Sequence, residues 1–409
     1  MPLRRVAQLT AVATAIALAA HLPAPLHGAA AAPTFSKDVA PIFYKHCVEC
    51  HRVNGMAPMS IVTFDEARPW ARAIKQKVVS REMPPWGADP TIGTFANDIS
   101  LSSDDIATIT AWVDAGGAEG SKADLPKAPV FYEGWSIGKP DYVFKMPVPV
   151  TVPADGALSY TFVTIPTNLK QDIWIRGVEL KPSDRRVVHH IVSHLVSGTP
   201  TDLAPKPVRD PALTEIGSVG SMVPGQLYDL FDAGVARKIP AGSSIVLQMH
   251  YTTIGQRIVD QTEVGVLLAS GPPSSLKQIR GGQTSNTTFV IPPGNPNYEV
   301  VAKTVMQSNT HLSVLLPHMH TRGKDVTFKA VYPDGKEELL LRIPKYDFNW
   351  QISYKLAEPK PLPRGTTLEV IAHFDNSPAN RFNPDPTAEV RWGDQIWEEM
   401  LVGYYNTVD

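Results

Sequence analysis

Cysteine is nearly missing from this chain: of 409 residues only Cys47 and Cys50 carry a thiol. Two thiols cannot build a disulfide framework, and they are too few for the multi-thiolate zinc sites of small domains. Long apolar runs are also missing. The longest, from Val6 to Ala20, is shorter than the roughly 20 residues a spanning helix needs. Neither sign of charge dominates, with 38 Lys and Arg against 40 Asp and Glu, and no basic block argues for nucleic acid or a membrane surface. Instead the chain is 43% hydrophobic and holds 38 prolines, 28 glycines and 12 histidines. It must be stable through its own cores, and its length predicts two or three domains.

The first residues read as an export signal, residues 1–32. MPLRR is a short basic start, LTAVATAIALAA an apolar stretch, and GAAAA offers small residues for cleavage near Ala30 to Ala32. The expected location is periplasmic or secreted, without stable membrane insertion. Removing the signal takes away Arg4 and Arg5, so the mature charge is 36 − 40 = −4.

Both cysteines sit in one motif, HCVECHR, residues 46 to 52. C-x-x-C-H is the signature of c-type haem: two thiols add to the porphyrin and the next histidine, His51, lies beneath the iron. A zinc half-site would need two more soft ligands, and no cysteine remains to supply them. One covalent haem is therefore expected on Cys47, Cys50 and His51. For the opposite axial position Met83, 83 − 51 = 32 residues further on, is the candidate. It stands in REMPPW before the last helix, like the axial methionine of the small c-type cytochromes this stretch resembles. Met59 is the alternative. Met/His ligation fills both axial sites, which suits electron transfer.

The surrounding pattern predicts a small all-α cytochrome c domain over residues 33–120. One helix leads into Cys47, a second crosses DEARPWARAIKQKVVSR, and a third, SSDDIATITAWVDAGG, opens on capping residues and closes on glycines. Residues 121–141, rich in Pro, Gly and Lys, read as a linker. Beyond Tyr142 the helical period gives way to short β-branched runs such as YTFVTI, DIWIRGVEL, SSIVLQMHYTT, HLSVLLPHMH, DVTFKAVY and TTLEVIAHF. Turn residues separate them, which predicts two all-β, jelly-roll-like sandwiches at residues 142–280 and 281–409. The expected joint is GPPSSLKQIRGGQTSN, which interrupts the strands.

Eight histidines fall in the β region: His189, His190, His194, His250, His311, His318, His320 and His373. His318-Met319-His320 is the sharpest signal, since residues i and i+2 of a strand face the same side and present two imidazoles as a clamp. His189 and His190 are adjacent, so on a regular strand they point apart and could share a metal only at a bulge or strand end. His190 and His194 have matching parity and form a competing clamp. His250, on its own expected strand, could supply a third imidazole. Imidazole suits zinc, copper or iron, and an added thioether favours Cu(I). Blue-copper carriers and the nitrite reductases that depend on such centres need a cysteine, and the haem consumes both.

RRVVHHIVSHLV, LQMHYTT, LPHMHTRGK and WEEMLVGYY follow one another in an order that resembles the ascorbate-dependent type II copper monooxygenases, the group of peptidylglycine α-hydroxylating and dopamine β-monooxygenases. The resemblance runs from about Pro140 to the C-terminus. It implies a copper site of His189, His190 and His250 that receives and stores an electron. It implies a second copper site of His318, His320 and Met400 where O2 is reduced, across a solvent-filled cleft from the first. His194, His311 and His373 match no ligand. The chain departs from the family in lacking disulfides and in carrying a haem in front. Leu316 and Val402 stand where the peptide-amidating members keep an arginine and an asparagine for substrate, while Tyr404 matches their tyrosine.

The resulting expectation is a two-copper, one-haem monooxygenase that hydroxylates a C–H bond of a small, less polar substrate with O2. A reductase, a small carrier or ascorbate would reduce the haem, which would then reduce the three-histidine copper. The competing reading is a cytochrome electron carrier fused to a non-catalytic double β-sandwich that binds copper, carbohydrate or a partner.

Overall fold

The computed structural model describes residues 32–53, 55–131 and 134–409. The expected export signal lies outside them except for Ala32. The chain is mostly β-sheet with a few helices at its N-terminal end.

A π-turn at Phe35–Val39 runs into the helix Ala40–His46, which delivers Cys47. The second expected helix is broken: Phe64–Ala67, a 3-10 turn at Arg68–Trp70, then Ala71–Val79. Pro69 explains the break, since it lacks an N–H and crowds the preceding turn. Ser103–Asp114 starts on a reciprocal capping box between Ser102 and Asp105 and stops at Gly116 and Gly117, whose φ angles are +94° and +65°. Phe35, Phe43, Ile109 and Trp112 form the centre of this small core.

The helical region is not a closed unit. Residues 86–97 leave it and lie along the second sandwich. Phe95 bridges Leu356, the Ala96 N–H donates to the Lys355 carbonyl at 2.8 Å, and the Ala357 N–H donates to the Thr94 carbonyl at 2.8 Å. Phe95 belongs to that sandwich's core and Trp86 packs beside Tyr354, ring centroids 4.7 Å apart. The expected 33–120 domain is corrected accordingly: its loop before the last helix is a piece of another core. The expected linker is also partly built in, because Glu179 accepts the backbone N–H groups of Ser136 at 2.6 Å and Ile137 at 3.1 Å.

The β region has two cores, as two sandwiches require, but one sheet runs through both. Its order is Tyr142–Lys145, Glu263–Leu268, Ile173–Lys181, Val235–Ile239, Lys277–Asn286, Leu401–Val408, Thr310–His318, Tyr354–Leu362. The crossing point is parallel pairing of Lys277 with Val235 and Gln278 with Ala236. The expected joint is thus a ten-residue strand, and a boundary at residue 280 falls inside it. KQIRGGQTSN hides its strand character because it is polar and lacks alternation. Its ladder with Leu401–Val408 supplies the order, and the Tyr405 ring covers Gly282, where a Cβ would come within 2.5 Å of it.

Each sandwich closes with a second sheet. In the first, Ser243–Tyr251 lies between Thr161–Pro166 and Val188–Ser197. In the second, Tyr298–Val305, Thr367–Phe374, Gly323–Val331 and Glu337–Ile343 pair in that order.

Candidate metal centre

Val188–Ser197 and Ser243–Tyr251 are antiparallel, with His190 directly opposite His250. The next pair is Val188 with Tyr251, so His189 is skipped. It is the extra residue of a β-bulge, which turns its side chain to the same side as its neighbour's. Adjacency, which would separate two histidines on a regular strand, here brings them together. The Nδ1 atoms of His189 and His250 lie 3.1 and 3.4 Å from Nδ1 of His190. One ring nitrogen from each histidine falls within 4.8 Å of the others. Three ring nitrogens facing one point share at most a proton or two among them, and a cation satisfies all three lone pairs.

His318 ends the strand Thr310–His318 and His320 follows two residues later, with ring centroids 5.3 Å apart. His318 Nδ1 donates to Oε1 of the buried Gln351 at 2.6 Å, and His320 Nδ1 donates to the Glu398 carbonyl at 3.2 Å. Both donations leave Nε2 as a bare acceptor. His320 Nε2 is buried and has no hydrogen-bond partner among the described residues, and a buried polar atom of this kind calls for an explanation. Val402 pairs with His318 as the last rung of that ladder, and Met400 lies two residues before Val402 in the chain. Met400 is buried. The wholly buried carboxylate of Glu399 fixes this geometry by accepting the N–H groups of His320 at 2.8 Å, Arg322 at 2.6 Å and Met400 at 3.3 Å.

The two sets touch. His190 and His318 have ring centroids 6.2 Å apart, so these two rings are not separated by the solvent-filled cleft that the resemblance implies. The continuous sheet draws the sandwiches together, and Phe348 fills the space between them. Its ring stacks on His189 at 5.2 Å and meets His320 edge-on at 6.0 Å. Tyr160 flanks His250 at 5.2 Å and His190 at 5.8 Å, and Tyr404 lies 6.2 Å from His318.

Burial makes all five imidazoles poor bases. It pushes His189 and His250 down to about 4, helped by the neighbouring imidazoles. It pushes His320 to about 3 and His190 well below the usual value, and it lowers His318, whose bond to Gln351 works the other way. At neutral pH the cluster therefore presents uncharged nitrogens, the form that ligates metals. Burial likewise holds the Tyr404 hydroxyl up at about 12.

The other histidines are engaged elsewhere. His194 is held by Glu215 at 3.2 Å and Gln248 at 3.3 Å, so the competing His190/His194 clamp does not form. His373 sits between Asp325 at 2.7 Å and Glu299 at 3.5 Å, and His311 is exposed. A cavity of about 210 Å³ opens beside His250, lined by Leu158, Tyr160, Asp394, Ile396 and Trp397.

In the helical region the turn after Ala40–His46 holds the two thiols together. The N–H groups of Cys50 and His51 both donate to the Cys47 carbonyl, at 3.2 and 2.9 Å, and the cysteines are not joined to each other. Burial raises both thiols, Cys47 to about 12 and Cys50 to about 11. His51 Nδ1 donates to the Met59 carbonyl at 3.3 Å, which frees Nε2 and sets the Met59 backbone on the far side of the ring from it. Cys50 and Met56 line a cavity of about 450 Å³, but Cys47 and His51 are not on its wall. Met83 is not on its wall; its N–H donates to the Lys77 carbonyl at the end of Ala71–Val79.

Gln351, Phe348 and Tyr160 carry no motif, and Glu399, though inside WEEMLVGYY, has nothing in sequence to mark it as an acceptor for three backbone N–H groups. The aromatic density of YDFNWQISY, residues 346 to 354, was the available signal for the first two.

No protein-family model matches the chain, and no curated protein matches it either. Among solved structures it is similar to the major capsid protein P2 of bacteriophage PM2, at 8% identity and TM-score 0.26, covering 65% of this chain and 96% of that one. It is also similar to the VP2 subviral particle of infectious bursal disease virus, at 11% and 0.19, covering 68% and 75%. Allantoicase from Saccharomyces cerevisiae matches at 10% and 0.18, covering 81% and 97%. Likeness this faint carries no argument about fold or function.

Proposed function

We propose that the chain is an exported monooxygenase with one covalent haem c and two coppers, which hydroxylates a C–H bond of a small organic substrate with O2. The carrying observation is the meeting of a bulge-built three-histidine cluster with an H-x-H pair whose buried His320 Nε2 has no partner. In this reading the N-terminal helices are a cytochrome c domain, the sandwiches are jelly-roll-like, and residues 1–32 direct export.

His189, His190 and His250 would hold one copper through Nδ1. His318 and His320, through Nε2, and Met400 would hold the other. A thioether beside two imidazoles favours Cu(I), and no cysteine is left over for a blue-copper centre. Cys47, Cys50 and His51 would hold the haem, with Met83 as the sixth ligand and Met59 disfavoured by its backbone's place behind His51. The coppers would supply O2 activation and the haem one-electron delivery. The balance is R–H + O2 + 2e⁻ + 2H⁺ → R–OH + H2O, the electrons coming from a reductase, small carrier or ascorbate.

The chain's own residues prepare that chemistry. Glu399 aligns the two metal-bearing strand ends, Gln351 fixes the His318 tautomer, and Phe348 keeps water from the space between the sites. Tyr404 and Tyr160 stand where a substrate would meet the centre, and the 210 Å³ cavity beside His250, walled by Leu158, Ile396 and Trp397, suits a small and largely apolar molecule. Metal and haem analysis with O2 uptake and product mass tests the proposal. Two coppers, one haem and a product heavier by one oxygen atom support it. Haem without stoichiometric copper, and no substrate-dependent O2 uptake, would leave the chain an electron carrier with a binding module.

A further inference from the structure

Away from the metal centre, the joint between the helical region and the first sandwich holds a cavity of about 320 Å³. Arg52, Ser60, Thr63 and Glu66 line it from the helical region, Ser136 from the segment between the two, and Arg185 from the first sandwich. Neither the metal-centre histidines nor Cys47, Cys50 or His51 is on this wall. Two arginines facing one hollow oppose each other, and burial adds a cost to each charge. Arg52 is only 8% exposed and the Arg185 side chain 26%. Burial pushes the Arg185 guanidinium below its usual value; Glu179 works against that, and the charge of Arg52 adds to it.

A guanidinium is a fork of N–H donors with no acceptor of its own. The carboxylates nearby leave these forks unfilled. Glu179 gives Oε2 to the Ser136 and Ile137 N–H groups and meets Arg185 only at Nη2, at 3.5 Å. Glu66 accepts the Thr63 N–H at 2.9 Å and the Thr63 hydroxyl at 3.0 Å, as part of a helix cap. Glu49 accepts the Tyr228 hydroxyl at 3.1 Å and stands 3.9 Å from Arg52 Nη2, beyond hydrogen-bond reach. Arg52 donates from Nε to the Glu49 carbonyl at 3.1 Å and sits over the Phe131 ring, 4.4 Å from its centre. Arg185 Nη1 is buried and has no hydrogen-bond partner among the described residues. A third cation stands close by, because Lys181 Nζ lies 3.9 Å from the place a Cβ on the wall residue Gly134 would take. The hollow therefore has charged donors to spare, one of them buried and unused, and it lacks an acceptor.

We infer that this cavity binds a small oxyanion, a phosphate or a short carboxylate, between the guanidinium groups of Arg52 and Arg185, with the hydroxyls of Ser60 and Ser136 beside it. Guanidinium forks match the paired oxygens of carboxylate and phosphate, and these charge-assisted bonds are roughly twice as strong as neutral ones. The bound anion fastens three pieces of chain together: the loop that follows the C-x-x-C-H motif, the segment at Ser136, and the 3-10 turn Arg185–Val187. That turn leads straight into the histidine-bearing strand Val188–Ser197. The site needs neither the proposed coppers nor the haem, and it goes beyond the proposed function.

The test titrates full-length protein with inorganic phosphate, with succinate and, at matched ionic strength, with chloride, followed by calorimetry and by melting temperature. Phosphate or succinate should saturate at one per chain and raise the melting temperature, and chloride should do neither. The anion that saturates at the lower concentration identifies the source as phosphate or carboxylate. Arg52→Gln and Arg185→Gln, checked for folding by circular dichroism, should each weaken binding about 10- to 100-fold, the cost of a hydrogen bond to a charged group. Arg185→Lys keeps the charge without the fork and should fall between. Because Arg52→Gln alters a buried side chain, hydrogen exchange on the wild-type protein supplies a second measurement. The anion should slow exchange in the peptides carrying Ser60–Glu66 and Ser136–Ile137. No saturable binding of either anion, an equal effect of chloride, unchanged affinity in folded Arg185→Gln, or protection confined to other peptides overturns the site.

Discussion

Replacing Glu399 with alanine should damage both the fold and the second metal site. The carboxylate is wholly buried and accepts three backbone N–H groups, two of them short: His320 at 2.8 Å and Arg322 at 2.6 Å. A buried donor left without an acceptor costs about 1–3 kcal/mol, so the two short bonds alone put the loss at roughly 2–6 kcal/mol. The Arg322 side chain adds little to this sum. Its guanidinium keeps the Asn376 side chain at 2.8 Å, the Trp397 carbonyl at 2.9 Å and the Asp385 carbonyl at 3.3 Å. Against a typical total stability of about 5–15 kcal/mol the loss is large. Glu399→Gln keeps one acceptor oxygen and should cost roughly half as much. Denaturant titration of both variants, paired with competition against a Cu(I) chelator, measures the effect. Copper affinity should fall at the His318 site and hold at the three-histidine site. Glu399→Ala unfolding within about 0.5 kcal/mol of wild type, the range of an ordinary surface change, would refute the clamp.

Three other outcomes follow from the geometry. His250→Ala should bring copper down toward one per chain by elemental analysis, since it removes one of three converging nitrogens and leaves the His318 site occupied. Met400→Leu should cost under about 1.5 kcal/mol in stability, because the volumes are similar; the sulfur contribution should nonetheless vanish from the copper X-ray absorption spectrum, along with hydroxylation. Burial raises the Glu179 carboxyl above its usual 4.5 despite the N–H groups of Ile137 and Ser136. Its contribution to stability is therefore present below pH 4.5 and lost as pH rises through the folded value. Calorimetry of Glu179→Gln should accordingly show a flatter decline of stability above pH 4.5 than wild type.

The elements with strong local chemistry could be read in advance. Ser102 with Asp105, and the glycines after Asp114, marked the last helix to within a residue, and β-branched runs marked most strands. Adjacent His189 and His190 could be read as one site only on condition of a bulge, and the register supplies that bulge through the partner strand. What stayed hidden depends on distant partners. Lys277–Asn286 is polar and contains Gly281 and Gly282, and it is a strand because Leu401–Val408 pairs with it along eight residues. The irregular stretch 86–97 has no period, and its order comes from the edge at Leu356. A lone glutamine such as Gln351 announces nothing until the fold sets it against an imidazole.

The sheet that runs through both sandwiches changes what a cut at their junction would do. In many two-sandwich chains the joint is a loose tether, and either half can be made alone. Here the strand Lys277–Asn286 pairs with Val235–Ile239 on one side and Leu401–Val408 on the other. A half-protein ending near Gly271 would leave the edge of Val235–Ile239 open, and the remaining half would expose the matching edge of Lys277–Asn286. Unpaired edges of this kind seek strands from other chains. Each half expressed alone is therefore expected to self-associate, which light scattering would reveal, whereas mixing the two during refolding should restore a monodisperse particle of the parent size.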